Sequence, residues 1–463
     1  MAAGVLNICR SFVAELSDPT CRNIQELLLC DRSSAEVLIQ AGKYLTGTSV
    51  PQQLDDTRAA LDGILQRAHR EMAAAAAAKS RGWRRTYTDA CLLLAFSDIL
   101  NFSTSGDRAL AYSAVSRLDH AIVIAGVPGE GRMYLVLDLI AGIQSECLDS
   151  PAGYPHDSLP DTAPHRPAGT TVASLPSAMR DIPRFDKPPS LSSFIARFSQ
   201  RPFILPGFLS DWPALNEHPW SSLDYLRTVA GPGRVVPVEV GSDYRRDDWT
   251  QQMMPWDEFL SSLRAQPAGE SARPVLYLAQ HSLFNQFPAL KDDIFVPDYV
   301  YSDLDPPNNY PQYVPPANEE RLVLNAWLGP GGTVSPPHTD PFYNFYAQVV
   351  GRKTVWLAPP EASPHMHPYP PHTSKSEHSA EEPRNPAANN ESPLMSNTSQ
   401  VDVFVSIPED IDASKLDYPD FWSRVVPSAM LVTLEPGDLL FFPPGWWHAM
   451  RSEETSFSVS MWF

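Results

Sequence analysis

The sequence predicts an α+β multidomain chain: an all-α domain over residues 1–150, a proline-rich linker over 151–178, and an antiparallel double-sheet β domain over 179–463. Three observations carry this. Apolar residues recur at helical spacing in the first third. The text around residues 150–176 then loses all apolar period. After Arg321, short aromatic and aliphatic runs alternate with turn residues. At 463 residues, 43% of them hydrophobic, the chain can form two or three domains with sizeable cores.

The helical domain is read from LAYSAVSRLDHAIVIAG, where Leu110, Ala114, Leu118 and Ile122 fall four apart and share one face. The breaker VPGEGR follows, and MYLVLDLIAGI continues as the second arm of a helical hairpin. The alanines from Ala73 to Ala78 have the highest helix propensity available. No repeat period is strong enough for a solenoid, and an interaction or support role is expected here. All five cysteines (Cys9, Cys21, Cys30, Cys91, Cys147) lie in this part with no CxxC pair. Free, mostly buried thiols in a reducing compartment are expected, rather than disulfides or a zinc module.

The linker, PAGYPHDSLPDTAPHRPAGTTVASLP, combines prolines with small polar residues, so His156 and His165 in it are expected to be solvated. The strands come next. LVLNAWLG, NFYAQVV, KTVWLA, AMLVTLE, DLLFFP and SFSVSMWF are separated by GPGG, VGR, EPGD and PPG, the spacing of an antiparallel sandwich or jelly roll. Residues 361–396 interrupt them with polar, proline-rich text, expected to form a long flexible insertion whose His365, His367, His372 and His378 are solvated.

The formal charge is 35 minus 54, or −19, so the basic footprint of a duplex-DNA binder is missing and a basic protein or peptide partner fits better. No run of about 18 apolar residues exists, and the amino terminus has no basic start before an apolar core. Membrane association is not expected; the nucleus or cytoplasm is.

The chemistry concentrates in SPPHTDPFYNFY, residues 335–346. His338 and Asp340 are two apart and point to the same side of an extended backbone. A third ligand is available in His448, within GDLLFFPPGWWHAM. Two imidazoles and a carboxylate form the facial set that suits non-haem Fe(II) with open positions. A metal-dependent peptidase activating water with the same ligands is one alternative, and a non-enzymatic interaction protein is another. Lys353, in VGRKTVWL, opens an apolar strand and needs an anionic partner. Ser335 and Asn344 add neutral groups nearby. The prolines are expected to stiffen a turn that aims the ligands.

These residues also carry a resemblance. NAWLGPGGTVSPPHTDPFYNFYAQVVGRKTVWL, then NTSQVDV, DLLFFPPGWWHAM and SFSVSMWF, with VPVEVGSDYRRDDW and YLAQHSLFNQFPALKDDI upstream, resemble the Jumonji-C 2-oxoglutarate oxygenases over roughly residues 180–463. The resemblance implies a double-stranded β-helix (cupin-like) catalytic domain in which His338, Asp340 and His448 ligate Fe(II). It implies that Lys353, Tyr277, Ser335 and Asn344 hold 2-oxoglutarate, that Trp327 and Trp462 line its pocket with Gln280 nearby, and that O2 is the oxidant. Glu239, Tyr244 and Trp249 match the stretch that faces the protein substrate, and an acidic, aromatic lining suits a guanidinium or methylammonium group. Arginyl (C-3) hydroxylation is the activity best implied, because no cage of several aromatics is evident. Histone methyl-lysine demethylation, histone-tail cleavage and chromatin or partner recruitment are the other roles the resemblance leaves open.

Overall fold

The first 148 residues fold from helices. The computed structural model describes residues 2–47, 51–74, 77–148, 159, 175–241, 243–245, 249–264, 274–370 and 395–463. In its first unit these form α1 (Ala3–Leu16), α2 (Arg22–Cys30), α3 (Arg32–Thr46), α4 (Pro51–Ala74), α5 (Ala77–Ser105), α6 (Arg108–His120) and α7 (Arg132–Cys147). The predicted stripe is present: Ala114, Leu118 and Ile122 are buried, with Leu110 half-buried. Every residue of α5 from Arg85 to Ile99 is buried, so this helix is enclosed on all sides and shows no single apolar face. Its charges are paired. The Asp89 carboxylate accepts from Arg85 Nε and Arg132 Nε, each at 3.0 Å, and Arg132 also donates to Glu15 at 2.8 Å. All five cysteines are free, and Cys9, Cys91 and Cys147 are buried.

Two domain boundaries differ from expectation. The helical unit also contains residues 227–236 and 254–258, where Arg234 forks onto the buried Asp119 carboxylate at 2.7–3.1 Å. A pairing across 115 residues leaves no local pattern in the text. The linker expected over 151–178 lies mostly outside the described residues, but its last four residues belong to the β domain. There Leu175 is buried, Ser177 Oγ donates to the Val403 carbonyl at 2.6 Å, and the Trp356 indole donates to the Ser177 carbonyl at 2.9 Å.

The second unit contains β1 (Arg180–Asp181), β2 (Phe203–Leu205), β3 (Val235–Val240), β4 (Thr250–Pro255), β5 (Leu276–His281), β6 (Val323–Gly329), β7 (Val334–Thr339), β8 (Asn344–Val350), β9 (Lys353–Ala358), β10 (Met430–Leu434), β11 (Leu439–Phe442), β12 (Trp447–Ser452) and β13 (Ser456–Trp462), with β3 and β4 running into the first unit at one end. They make a sheet of order β1-β10-β9-β12-β7 and a larger one of order β2-β11-β8-β13-β6-β5-β3-β4. β1 joins β10 in parallel; the ladders among β2 and β5 to β13 are antiparallel. This is the cupin-like double sheet predicted.

Strand alternation sorts the side chains. On β9, Val355 and Leu357 enter the space between the sheets with Leu440, Phe442 and Met450. Trp356 and Ala358 face outward into a second cluster with Phe421, Val425 and Trp447. On the larger sheet, Phe345 and Phe441 (ring centroids 4.9 Å apart) pack with Phe194 and Phe203 on the side away from that space. Both faces of these strands are covered, so β8, β9, β11 and β13 are buried at every position, including Ser456, Ser458 and Ser460 of β13.

The expected insertion at 361–396 is also narrower. Residues Pro360–His365 form a 3-10 helix with Ala362 buried, Met366 is buried beside it, and Gln400 N–H donates to the His367 carbonyl at 3.0 Å. The His367 ring rests on Tyr418 at 4.9 Å and is no solvated loop residue. Residues 371–394, with His372 and His378, lie outside the described residues, as do His156 and His165 in the linker.

Candidate functional site

The stretch at 335–346 is mostly strand. Ser335, Pro336, Pro337 and His338 belong to β7, the edge of the smaller sheet, where a residue without an N–H is tolerated. The expectation of a proline-stiffened turn is therefore corrected. Opposite β12, Ser335 pairs with Met450 and His338 with His448, so three steps on β7 match two on β12. The prolines form the bulge. In a regular strand Ser335 and His338 would face opposite sides; the extra residue turns both toward the space between the sheets.

His338, Asp340 and His448 meet there, with ligand-capable atoms all within 4.8 Å of one another. His448 Nε2 is 3.4 Å from Asp340 Oδ2, His338 Nε2 is 4.0 Å from Asp340 Oδ1, and the two rings lie 4.1 Å apart. Each imidazole is held by its other nitrogen. His338 Nδ1 contacts the Pro336 carbonyl at 2.8 Å and His448 Nδ1 the Trp446 carbonyl at 3.0 Å, which holds each ring with its Nε2 turned toward Asp340. Burial, reinforced by the His448 ring, pushes His338 down to about 4, so it is neutral at physiological pH. Burial works to raise Asp340, but the His448 and His338 rings overcome it and hold the carboxyl below its usual range. The turn before β12 depends on Gly445, whose φ is 75° and whose added Cβ would strike the Tyr310 ring; its N–H donates to the Asp340 carbonyl at 2.9 Å.

Lys353 points inward, in phase with Val355 and Leu357, and is 1% exposed. Its ammonium donates to Tyr346 OH at 2.9 Å and Tyr277 OH at 3.4 Å; among the described residues it has no carboxylate partner. Burial alone pulls it down to about 7. Tyr277 also hydrogen-bonds Ser335, and its ring is 6.2 Å from Trp327. Asn344 pairs with Trp462 across the larger sheet; Asn344 Oδ1 and the Trp462 indole N–H are buried without hydrogen-bond partners among the described residues. The structure thus brings Lys353, Tyr277, Ser335, Asn344, Trp327 and Trp462 onto the inner faces of the two sheets. Gln280 differs. It is exposed in a left-handed conformation (φ 46°) at a bulge in β5.

Glu239, Tyr244 and Trp249 are half-buried. Trp249 Nε1 donates to Glu239 Oε2 at 3.2 Å, and burial pushes Glu239 up to about 7 against the pull of that bond. Tyr244 OH is 3.2 Å from Thr398 Oγ1. Two features escaped the sequence reading. Residues 397–399 pair along the free edge of β7, with Ser399 N–H donating to the Pro337 carbonyl at 2.7 Å and a bridge between His338 and Thr398. Nothing in NTSQVDV marks that. Tyr346 was within reach, since it lies two positions from Asn344 on a strand.

The residues present fit a metal and a dicarboxylate. Two imidazoles and one carboxylate on one side of a shared point suit Fe(II) with O2 and co-substrate positions open. A buried ammonium without a carboxylate, beside orphaned polar atoms, suits the far end of 2-oxoglutarate. The chain is similar to several known proteins. The lysine-specific demethylase 8 of Danio rerio is 40% identical over 286 residues, 61% of this chain and 58% of that protein. The Jumonji C domain-containing protein 5 of Drosophila melanogaster is 37% identical over 287 residues, 61% of this chain and 60% of that protein. The chain thus spans about three fifths of the length of each. The solved Escherichia coli ribosomal oxygenase YcfD matches 59% of this chain and 51% of its own at 17% identity, with a TM-score of 0.29, too low to carry structural detail across. The model of the cupin-like domain matches residues 194–463, more than half of the chain, which therefore belongs to the cupin-like family.

Proposed function

We propose that the β domain is an Fe(II)- and 2-oxoglutarate-dependent oxygenase that oxidises a protein side chain, with arginyl C-3 hydroxylation as its first activity. The observation that carries this is Lys353. A hydrolase using His338, Asp340 and His448 to activate water has no need of a buried ammonium without a carboxylate, whereas a dicarboxylate co-substrate does. His448 and Leu357 are paired, so Lys353 lies four positions further along the same face, ~13 Å at the strand rise. The lysine stem and a five-carbon dicarboxylate fill that gap together.

His338, Asp340 and His448 would hold Fe(II), which would activate O2, the oxidant, with 2-oxoglutarate as the two-electron reductant, for breaking a C–H bond. The chain's residues do the rest. The Nδ1 contacts of both histidines keep Nε2 aimed inward without reorganisation. Lys353, Tyr277, Ser335 and Asn344 would orient the co-substrate, and the apolar layer between the sheets excludes bulk water. Glu239, hydrogen-bonded to the Trp249 indole, and the phenol of Tyr244 offer a carboxyl and aromatic rings, which suit a planar guanidinium that stacks and donates a charged hydrogen bond. A basic protein or peptide met in the nucleus or cytoplasm is the partner this implies. One described indole and one phenol make a poor methylammonium cage, which puts demethylation second.

The test is anaerobic titration with Fe(II) and 2-oxoglutarate, then succinate release in air with and without an arginine-containing peptide, followed by mass analysis. Stimulated succinate release and a gain of one oxygen on arginine are expected. Absence of 2-oxoglutarate binding would sink the oxygenase, and peptide cleavage without it would favour the peptidase.

A further inference from the structure

The inner face of the larger sheet is set by the register of β6, β13 and β8: Asn325 pairs with Ser460, which pairs with Tyr346. Alternation places Asn325 with Trp327, Ser460 with Trp462, and Tyr346 with Asn344 on that face. Two contacts identify it as the pocket side. The Trp327 indole donates to Ser460 Oγ at 3.0 Å, and Tyr346 OH accepts from Lys353 at 2.9 Å. Asn325 is 3% exposed, and its side-chain NH2 has no hydrogen-bond partner among the described residues. A buried amide donor left without an acceptor destabilises a protein, and an aliphatic side chain would avoid the penalty, as Leu324, Ala326 and Leu328 do at the alternate positions of the same strand. The Trp462 indole N–H, on the same face, is orphaned too. Two donors without partners among the described residues, on the larger sheet, and the Lys353 ammonium from the facing sheet therefore point into one space, and their complement is a ligand rich in acceptor oxygens.

We propose that Asn325 is a further binding residue of this pocket, its side-chain NH2 donating to a carboxylate oxygen of the dicarboxylate co-substrate. The proposal rests on the 2-oxoglutarate reading above. Asn325 is a ligand contact held ready in the empty fold, and its missing partner arrives with the ligand.

The experiment uses the full chain with Fe(II) under anaerobic conditions. Asn325→Leu and Asn325→Asp are titrated with 2-oxoglutarate, and thermal unfolding of each is followed with and without it. Both variants are expected to weaken 2-oxoglutarate binding about tenfold or more, Asp further than Leu because it sets a charge against the ligand. The rise in Tm that 2-oxoglutarate produces should shrink with them, while the ligand-free Tm of Asn325→Leu should not fall, because the orphaned donor is gone. A residue with only a structural role would do the reverse. Affinities within twofold of the natural chain, or a ligand-free Tm loss with affinity unchanged, overturn the proposal. If the natural chain itself fails to bind 2-oxoglutarate, the oxygenase reading falls and this falls with it; if it binds and both variants bind equally, only Asn325 is misassigned.

Discussion

Replacing Lys353 by Met tests the pocket most directly, because the lysine makes opposite contributions to the empty and the filled protein. Its ammonium is 1% exposed, and burial lowers its pKa from 10.5 to about 7. The unfolded chain therefore binds more protons than the folded one between pH 7 and 10.5. The penalty is full below pH 7, about 5 kcal/mol, shrinks as pH rises through that window, and vanishes above it. Lys353→Met removes it, so the ligand-free variant should be more stable than the natural chain at pH 7.5, and its stability should lose that part of the rise toward pH 10. Binding behaves oppositely. An incoming carboxylate needs the protonated form, which at pH 8.5 is only about 3% of the empty protein, so 2-oxoglutarate should bind about thirtyfold more weakly at pH 8.5 than at pH 6. The variant, without the charge, should bind at least a hundredfold more weakly than the natural chain at pH 6 and show no such slope. Isothermal titration at saturating metal, anaerobically, with urea unfolding at each pH, measures both. A flat binding profile in the natural chain, or unchanged affinity in the variant, would refute the reasoning.

Two further outcomes follow from the same contacts. His338→Ala should abolish metal binding and turnover while shifting urea-unfolding stability by no more than about 1 kcal/mol, since His338 is half-buried and lies outside the apolar cluster between the sheets; global unfolding of the variant would show a structural role. In the helical unit, Asp89→Ala leaves Arg85 and Arg132 buried without their shared carboxylate and should destabilise that unit by about 3–5 kcal/mol. Calorimetry is the measurement, and a loss under 1 kcal/mol would mean that water or Glu15 replaces Asp89.

Much of the site was legible because its signals are short in range. His338 and Asp340 stand two apart, and that spacing needs only an extended backbone to converge. The text of β11, Leu439–Phe442, is apolar at every position, a sign of burial on both faces. Elsewhere the local pattern misled. SPPH looked like a turn because proline lacks an N–H, yet on a sheet edge that lack does no harm, and only the partner strand reveals the bulge. Helix α5 has no one-sided stripe, because packing surrounds it and its charges are neutralised by residues far away in the chain.

By itself the sequence determined the two kinds of secondary structure and singled out His338, Asp340, His448 and Lys353, since each depends on residue chemistry and on periods of two or about four. The tertiary structure decided which face each residue occupies and who its partner is. Ser335 shares a side with His338 only through the bulge, Arg234 belongs with Asp119 across 115 residues, and Asn325 is a donor without a partner among the described residues only once β6 lies beside β13. Register and long-range pairing are set by the packing of whole sheets and helices, and a hydrogen bond left unmade is visible only when every neighbour is in place.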